Sequence, residues 1–388
     1  MRIKILLNAR PLLGNLTGIG RYSYEVFKGL DREKFDPFFD YGFISQDIIL
    51  PSNKKEVSFL DRIKSSVFKI MKYFFSFLPT TFKTKIRDFL INSNTTKNKE
   101  LNFDIYFQPN FIPLDANATF YVSCVHDLSF IKFKDFHPKD RMDFFEKVFF
   151  KDIVKASKII TVSNTVKKEI MEELKIDEDK IEVIYNGYDD KIFYPKNIND
   201  QESIKSKYLL KKNFILFVGS IEPRKNLKTL IKAYNILDKS LQDKFDLVIV
   251  GAKGWQNSDI HGLIKQNKNI KFLGYIDDDN LSVLYSSATV FVYPSVYEGF
   301  GIPPLEAMAC GCPVILSDIE VFREIYKDNV IFFDAINEND LKEKLFSLLS
   351  DIDLREKLSK SGLCYCKNFS WTKSAKEHSD LFLRLATQ

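Results

Sequence analysis

Two carboxylates eight positions apart, Glu298 and Glu306, stand in the segment VFVYPSVYEGFGIPPLEAMACGCPVILSD, residues 290–318. Its residue order predicts a shape. Val290–Tyr293 reads as a buried strand, and Glu298 to Gly301 as a turn with two flexible residues. Residues 302–309 read as a helix opened by prolines, where no N–H is lost. Gly311 ends it, and residues 312–317 form the next strand. A glycine turn feeding a helix start presents bare N–H groups and the positive end of the helix dipole, a setting for a diphosphate. It also lies at the carboxyl end of a strand, where open α/β sheets bind ligands. Glu298 is expected at the mouth of the loop and Glu306 in the first helical turn. By residue type alone, Glu298 is equally a solvated loop acid and Glu306 a complement to the dipole.

Three further patterns lie in the first half. Thr17-Gly-Ile-Gly-Arg-Tyr22 follows the first apolar run and opens a helix. Gly18 and Gly20 would let the backbone approach a phosphate closely, although no third glycine completes a dinucleotide fingerprint. Val125-His-Asp127 follows a strand end and offers His126 to a ligand, but a lone histidine is more often structural. Thr161-Val-Ser-Asn-Thr165 ends a strand and opens a helix, and Ser163 is expected as its N-cap.

The elements that must position these residues are short apolar runs alternating with longer helical patterns. One series of strands is expected at 3–7, 104–107, 120–125, 159–162 and 183–185. A second is expected at 214–218, 247–250, 270–273, 290–293, 314–316 and 331–333. The runs are rich in Val, Ile and Phe with little polar alternation, as in parallel strands covered on both faces. Strand–helix alternation implies doubly wound α/β sheets. A polar stretch over 194–213 separates the two series. The chain has 388 residues, more than one core usually supports, so two domains are expected.

The composition excludes several classes. Hydrophobic residues make up 45 %, and the net charge of +5 does not by itself call for nucleic acid. The five cysteines include two Cys-x-Cys pairs, a spacing that suits neither a disulfide framework nor a zinc finger, so reduced thiols are expected. The first residues are too short for a secretory leader, and no run of 18 apolar residues would span a membrane, so a cytoplasmic protein is expected. Residues 62–87 stand apart, with seven Lys or Arg and no acid. Val67, Ile70, Met71, Phe74, Phe75 and Leu78 fall on one helical face. Such a helix suits either an anionic membrane surface, at the inner face of the plasma membrane, or a core-facing position with solvated lysines.

The 290–318 segment closely resembles the Glu-x₇-Glu signature of family 4 glycosyltransferases, and the likeness extends over nearly the whole chain. Phe214–Asn235, FILFVGSIEPRKNLKTLIKAYN, resembles the strand and loop that open the family's donor-binding domain. LVIVGAKGW at 247–255, with Lys253 and Trp255, and KFLGYID at 271–277 also resemble family segments. The resemblance implies the GT-B fold, two Rossmann-like domains facing across a cleft. It places an acceptor domain over 1–198 and a nucleotide-sugar domain over 199–370. A helical segment over 371–388 is expected to pack back toward the first domain. It implies transfer of a hexose or deoxyhexose, with retention and without metal or cofactor. The acceptor is expected to be lipid-linked or a polysaccharide, in assembly of a bacterial surface glycan such as O-antigen. Glu298 would then meet the transferred sugar and Glu306 the ribose. Arg224, Lys225 and the N–H groups near Phe300 and Gly301 would hold the diphosphate. Tyr275 would lie beside the nucleobase, His126 would meet a sugar or acceptor hydroxyl, and the Gly18–Gly20 loop would close over the donor. Many members carry an Arg directly after the strand's glycine; this chain has Ser220 there, and Arg224 is expected to compensate.

Two other classes fit part of the pattern. A GT-B-like epimerase would share the two-domain nucleotide site, though not the Glu-x₇-Glu segment. A non-enzymatic peripheral membrane protein would use 62–87 but leave the diphosphate-type loop unexplained.

Overall fold

The first strand, β1 (Ile3–Asn8), is fully apolar from Ile5 to Leu7 and buried there. It pairs in parallel with β2 (Phe35–Asp40) and with β4 (Phe103–Gln108). β3 (Ile44–Ser45) runs antiparallel on the outer edge of β2. With β5 (Ala118–Val125), β6 (Lys158–Thr161) and β7 (Ile181–Val183), the sheet order is β3-β2-β1-β4-β5-β6-β7. The order reverses direction between β1 and β4, the switch point of this sheet. The computed structural model describes residues 2–14, 16, 18–50, 101–111, 116–210, 213–252 and 258–388. The basic segment 62–87, Thr17, Lys253 and Trp255 lie outside the described residues.

Every neighbouring pair of strands in the second sheet is parallel, as its unbroken apolar strands predict. It consists of β8 (Asn213–Val218), β9 (Phe245–Val250), β10 (Ile270–Gly274), β11 (Val290–Tyr293), β12 (Val314–Ser317) and β13 (Ile331–Phe333). Their order is β10-β9-β8-β11-β12-β13, with the switch point between β8 and β11. The core around it is one continuous cluster that includes Phe214–Phe217, Leu247–Ile249 and Val290–Val292.

The chain divides into two units. One holds residues 1–125, 138–160 and 375–388; the other holds 126–137 and 161–374. The helix Trp371–Ala386 thus gives its residues from Ala375 onward to the first unit. There Phe382 packs its ring against Phe107 at 5.2 Å and Phe35 at 6.3 Å, and His378 Nε2 lies 2.6 Å from the Tyr22 hydroxyl. Much of the chain's abundant Phe is therefore core material. Among the described residues, no helix is long and apolar enough to cross a membrane. All five cysteines are free, four buried and Cys364 exposed.

One expected strand shifts and two are new. The strand expected at 183–185 lies at Ile181–Val183. β2 and β3 were not expected at all. Asp36, Pro37 and Asp40 break the apolar run of β2, FDPFFD, and hide it. Pro37 is tolerated because β3 pairs only Phe39 and Asp40, so no ladder bond to that edge is needed at Pro37.

Candidate active site

The candidate site lies on the second unit, in the loops that leave β8 and β11 on either side of its switch point. After β8, Pro223–Lys225 form a single 3-10 turn, and Asn226 at φ 52° turns the chain into the helix Leu227–Asn235. After β11, residues 294–301 lead into the helix Ile302–Ala309. The two loops are tied by the Val296 N–H, which donates to the Arg224 carbonyl at 3.0 Å.

At their junction Glu298 is buried and held by two cations. Arg224 Nη1 donates to its Oε2 at 2.6 Å, and Lys225 Nζ donates to its Oε1 at 2.6 Å. Arg224 also donates to the Tyr297 carbonyl at 3.0 Å and to Glu222 at 2.9 Å. Lys225 donates to the Tyr293 hydroxyl at 2.5 Å. Burial alone would push the Glu298 carboxyl up, but the charges of Arg224 and Lys225 outweigh it and hold Glu298 down to about 2. Burial would likewise lower Arg224, but Glu298, Asp127 and Glu222 outweigh it and raise it. Lys225 is lowered by burial and by the neighbouring Arg224, against the opposing pull of Glu298. The result is a cluster of charges in which Lys225 and Arg224 both hold the buried Glu298 carboxylate, with Glu222 as a second acid on Arg224. The Glu298 carboxylate is ionised at any working pH and has no proton to give.

The next residue fixes the loop against the segment after β5. A Cβ on Gly299 would collide with the carbonyl oxygen of His126, so only glycine fits there. The Gly299 carbonyl accepts a 2.8 Å hydrogen bond from the Ser163 hydroxyl. Ser163 is also the N-cap of the helix Asn164–Leu174, accepting from the Val166 N–H at 3.2 Å. Tyr297 is held from both sides: its hydroxyl accepts from the Leu128 N–H at 2.8 Å and donates to Glu169 at 2.6 Å.

Gly301, at φ 91°, is the N-cap of the helix Ile302–Ala309, and a Cβ there would press on the Phe322 ring at 2.8 Å. Its carbonyl accepts from the Tyr326 hydroxyl. At the other end, Gly311 at φ 79° donates to the Met308 carbonyl at 2.9 Å, and Cys312 donates to that of Ala307 at 2.9 Å. These two bonds make a Schellman stop, so the expected glycine ending is found.

The structure brings together Arg224, Lys225, Glu298 and, through Gly299, the backbone of His126. It corrects Glu306, which as the fifth residue of the helix Ile302–Ala309 lies in its second turn rather than its first. Its carboxylate accepts from the Tyr285 hydroxyl at 3.1 Å. Phe300 turns its ring into the core beside Tyr185 and Phe369, so only its backbone can meet a ligand. Tyr275 is exposed just after β10, next to Gly274 at φ 73°. Ser220 is exposed in the loop after β8. Gly18 and Gly20 belong to the first unit, where Gly18 at φ 51° caps the helix Ile19–Lys28. Sequence reasoning missed Glu222, Tyr293 and Tyr297. Glu222 had a signal in its place two residues before Arg224. Tyr293 and Tyr297 look like core aromatics until their hydroxyls are placed.

Residues 199–363 match the family model described as glycosyl transferases group 1, and residues 95–191 match that of glycosyltransferase family 4. The chain is 30 % identical to the O-antigen chain mannosyltransferase B of Escherichia coli, over 95 % of this chain and 96 % of that one. It is 34 % identical to the O-antigen chain mannosyltransferase RfbU of Salmonella typhimurium, over 58 % of this chain and 59 % of that one. Two solved structures share the fold. They are Anabaena HepE in complex with UDP and glucose (TM-score 0.71, 15 % identity, 99 % of this chain and 100 % of that one) and WaaG, a glycosyltransferase involved in lipopolysaccharide biosynthesis (TM-score 0.69, 16 % identity, 98 % and 99 %). Two parallel α/β sheets, the Glu298 cluster at a switch point and a relative matched end to end together identify the chain as a member of glycosyltransferase family 4, a glycosyltransferase of the GT-B fold.

Proposed function

We propose that the chain transfers a hexosyl or deoxyhexosyl group, in the first instance mannosyl, from a nucleoside-diphosphate sugar to a lipid-linked or polysaccharide acceptor of a bacterial surface glycan. Transfer proceeds with retention and without a metal, and the enzyme works at the inner face of the plasma membrane. The observation that carries the reading is the clamp of Arg224 and Lys225 on the ionised Glu298, beside the N-terminus of the helix Ile302–Ala309. The choice of mannose and of O-antigen follows the two enterobacterial relatives.

In this mechanism the bond from the sugar's anomeric carbon to the β-phosphate oxygen breaks, and the acceptor oxygen bonds to that carbon on the same face. The acceptor proton passes to the departing phosphate. Arg224 and Lys225 shift part of their charge onto the diphosphate as it gains negative charge. Glu298, freed in proportion, receives hydroxyls of the transferred sugar and orients it. A carboxyl held at about 2 suits this role and not that of a proton carrier. Glu306 lies a turn further on, for the ribose, and Tyr275 beside the base. His126, in the same unit as Glu298, meets a hydroxyl of the sugar or the acceptor.

The test is thermal unfolding with UDP, GDP, ADP, TDP and CMP, with and without magnesium, followed by transfer assays with the sugar conjugates of the base that binds. A nucleotide at ~100 times its dissociation constant adds about 2.7 kcal/mol of stability. The expected result is one diphosphate that stabilises the protein equally with and without magnesium. Stabilisation by none of the five sinks the reading.

A further inference from the structure

Glu298 stands between two residues that a single helix holds. On one side the Gly299 carbonyl accepts from Ser163, the N-cap of the helix Asn164–Leu174. On the other, the Tyr297 hydroxyl donates at 2.6 Å to Glu169, in the second turn of the same helix. The same hydroxyl oxygen accepts from the Leu128 N–H at 2.8 Å, two residues past His126. Its donor and an acceptor position are thus both engaged, and it joins the loop before Glu298 to the segment that carries His126. The His126 carbonyl oxygen also lies against Gly299. The Tyr297 ring packs on Phe133 at 5.2 Å, and Phe133 stacks on Phe136 at 5.2 Å. Glu169 is itself buried and pairs with Lys132 Nζ at 2.9 Å, from the end of the short helix Ser129–Lys132. All of these residues belong to the second unit.

Stability does not explain this arrangement. A phenylalanine in place of Tyr297 would pack against Phe133 equally well and bury no hydroxyl. A buried acid paired with a cation gains little over an apolar filling, because desolvation offsets the attraction. What a saturated polar network provides is one geometry in place of several. We propose that Glu169 is a positioning residue for the reaction: through the Tyr297 hydroxyl it fixes where Glu298 points and how its loop stands against the segment of His126. The inference rests on the proposed contact of Glu298 with the transferred sugar and adds what holds Glu298 to it. Ser163 and Glu169 grip the chain at Gly299 and Tyr297, one residue to either side, so the Glu298 backbone is held against turning. Arg224 and Lys225 hold the carboxylate itself. When their charge shifts to the leaving diphosphate, the grip on the backbone keeps the acid in line. A displacement of about 1 Å at a reacting centre can cost about 10²-fold in rate.

The test reads kcat, donor KM and nucleotide affinity on the full-length protein. The first two come from a transfer assay with the mannosyl conjugate of the base that binds, the last from calorimetry with UDP, GDP, ADP and TDP. Tyr297→Phe keeps the ring and removes the hydroxyl, Glu169→Ala removes the acceptor, and Glu169→Gln keeps an acceptor oxygen. Tyr297→Phe and Glu169→Ala are each expected to lower kcat about tenfold while donor KM and nucleotide affinity stay within about twofold, because Arg224 and Lys225 are untouched. The double variant should be no slower than either single one, since both remove the same bond. Glu169→Gln should recover kcat to within about threefold of the wild type. An unchanged kcat in Tyr297→Phe overturns the proposal. So does a loss of kcat matched by an equal loss of nucleotide affinity, which marks a site that has merely loosened. Losses that multiply in the double variant, or a Glu169→Gln as slow as Glu169→Ala, overturn it as well. Should Glu169→Ala fail to fold, Tyr297→Phe and Glu169→Gln decide alone. A wild type that binds no nucleotide and transfers no sugar strikes the donor reading instead, and this role of Glu169 with it.

Discussion

Glu298 is a buried acid whose charge is matched by two cations, the buried Lys225 and the half-buried Arg224, and this has opposite consequences for stability and for binding. Replacing it as Glu298→Gln keeps the shape but leaves Arg224 and Lys225 facing a neutral group. Breaking one side of a buried ion pair costs about 3 kcal/mol, and denaturant unfolding should show a loss of that order. Turnover should fall by about 10²-fold, because a positioned contact to the reacting sugar is lost. Affinity for the free nucleoside diphosphate should hold or rise, since the cations no longer have a competing carboxylate; calorimetry measures it. A parallel fall in nucleotide affinity would show that Glu298 serves only to organise the cations. The pH dependence has a definite sign. A carboxyl lowered in the folded state contributes its full stability above its ordinary value of 4.5 and loses it as pH falls toward about 2. The stability gap between wild type and Glu298→Gln should be flat above about pH 4.5 and should close between there and about pH 2, in urea unfolding at stepped pH.

At the scale of elements, Ser163 does two jobs with one hydroxyl, capping the helix Asn164–Leu174 and donating to the Gly299 carbonyl. Ser163→Ala removes a cap and orphans a buried acceptor, so stability should fall by about 2 kcal/mol in denaturant unfolding. Ser163→Thr, which keeps the hydroxyl, should recover most of it. No loss in Ser163→Ala would mean that water replaces both bonds. The capping role was legible in the sequence because it depends on neighbours in the chain. The bond to Gly299 was not, because its partner lies 136 residues away. The same division holds elsewhere. Both series of strands, the helix Ile302–Ala309 and its glycine stop could be read from apolar runs and turn residues. β2 could not, since its Pro and acids are permitted only by an edge position that the sequence does not reveal. Arg224, Lys225 and Glu298 could be named from the resemblance of their segments to the family's motifs. Their mutual pairing, and the part of Glu222 and Tyr293 in it, exist only once β8 and β11 lie side by side.

At the scale of the whole molecule, each sheet uses the same device: a gap where strand order reverses, furnished with polar side chains from the loops on either side. One gap carries the charges of Arg224, Lys225 and Glu298, the other the carboxamides of Asn8, Gln108 and Asn110 beside Arg10. The first unit also depends on residues remote in sequence. Phe382, fully buried against Phe35 and Phe107, closes its core from the helix Trp371–Ala386. Phe382→Ala should cost about 4 kcal/mol in denaturant unfolding. A loss under about 1 kcal/mol would mean that the unit closes without it. The order of synthesis then matters. β1 leaves the ribosome before any of the second unit, yet the ring that seals its sheet and the His378 that meets Tyr22 are made some 370 residues after it. The half of the enzyme that is translated first must therefore wait, unfinished, for residues translated after the other half has already been made. Its nascent form is a natural client for whatever guards exposed aromatic surface during translation.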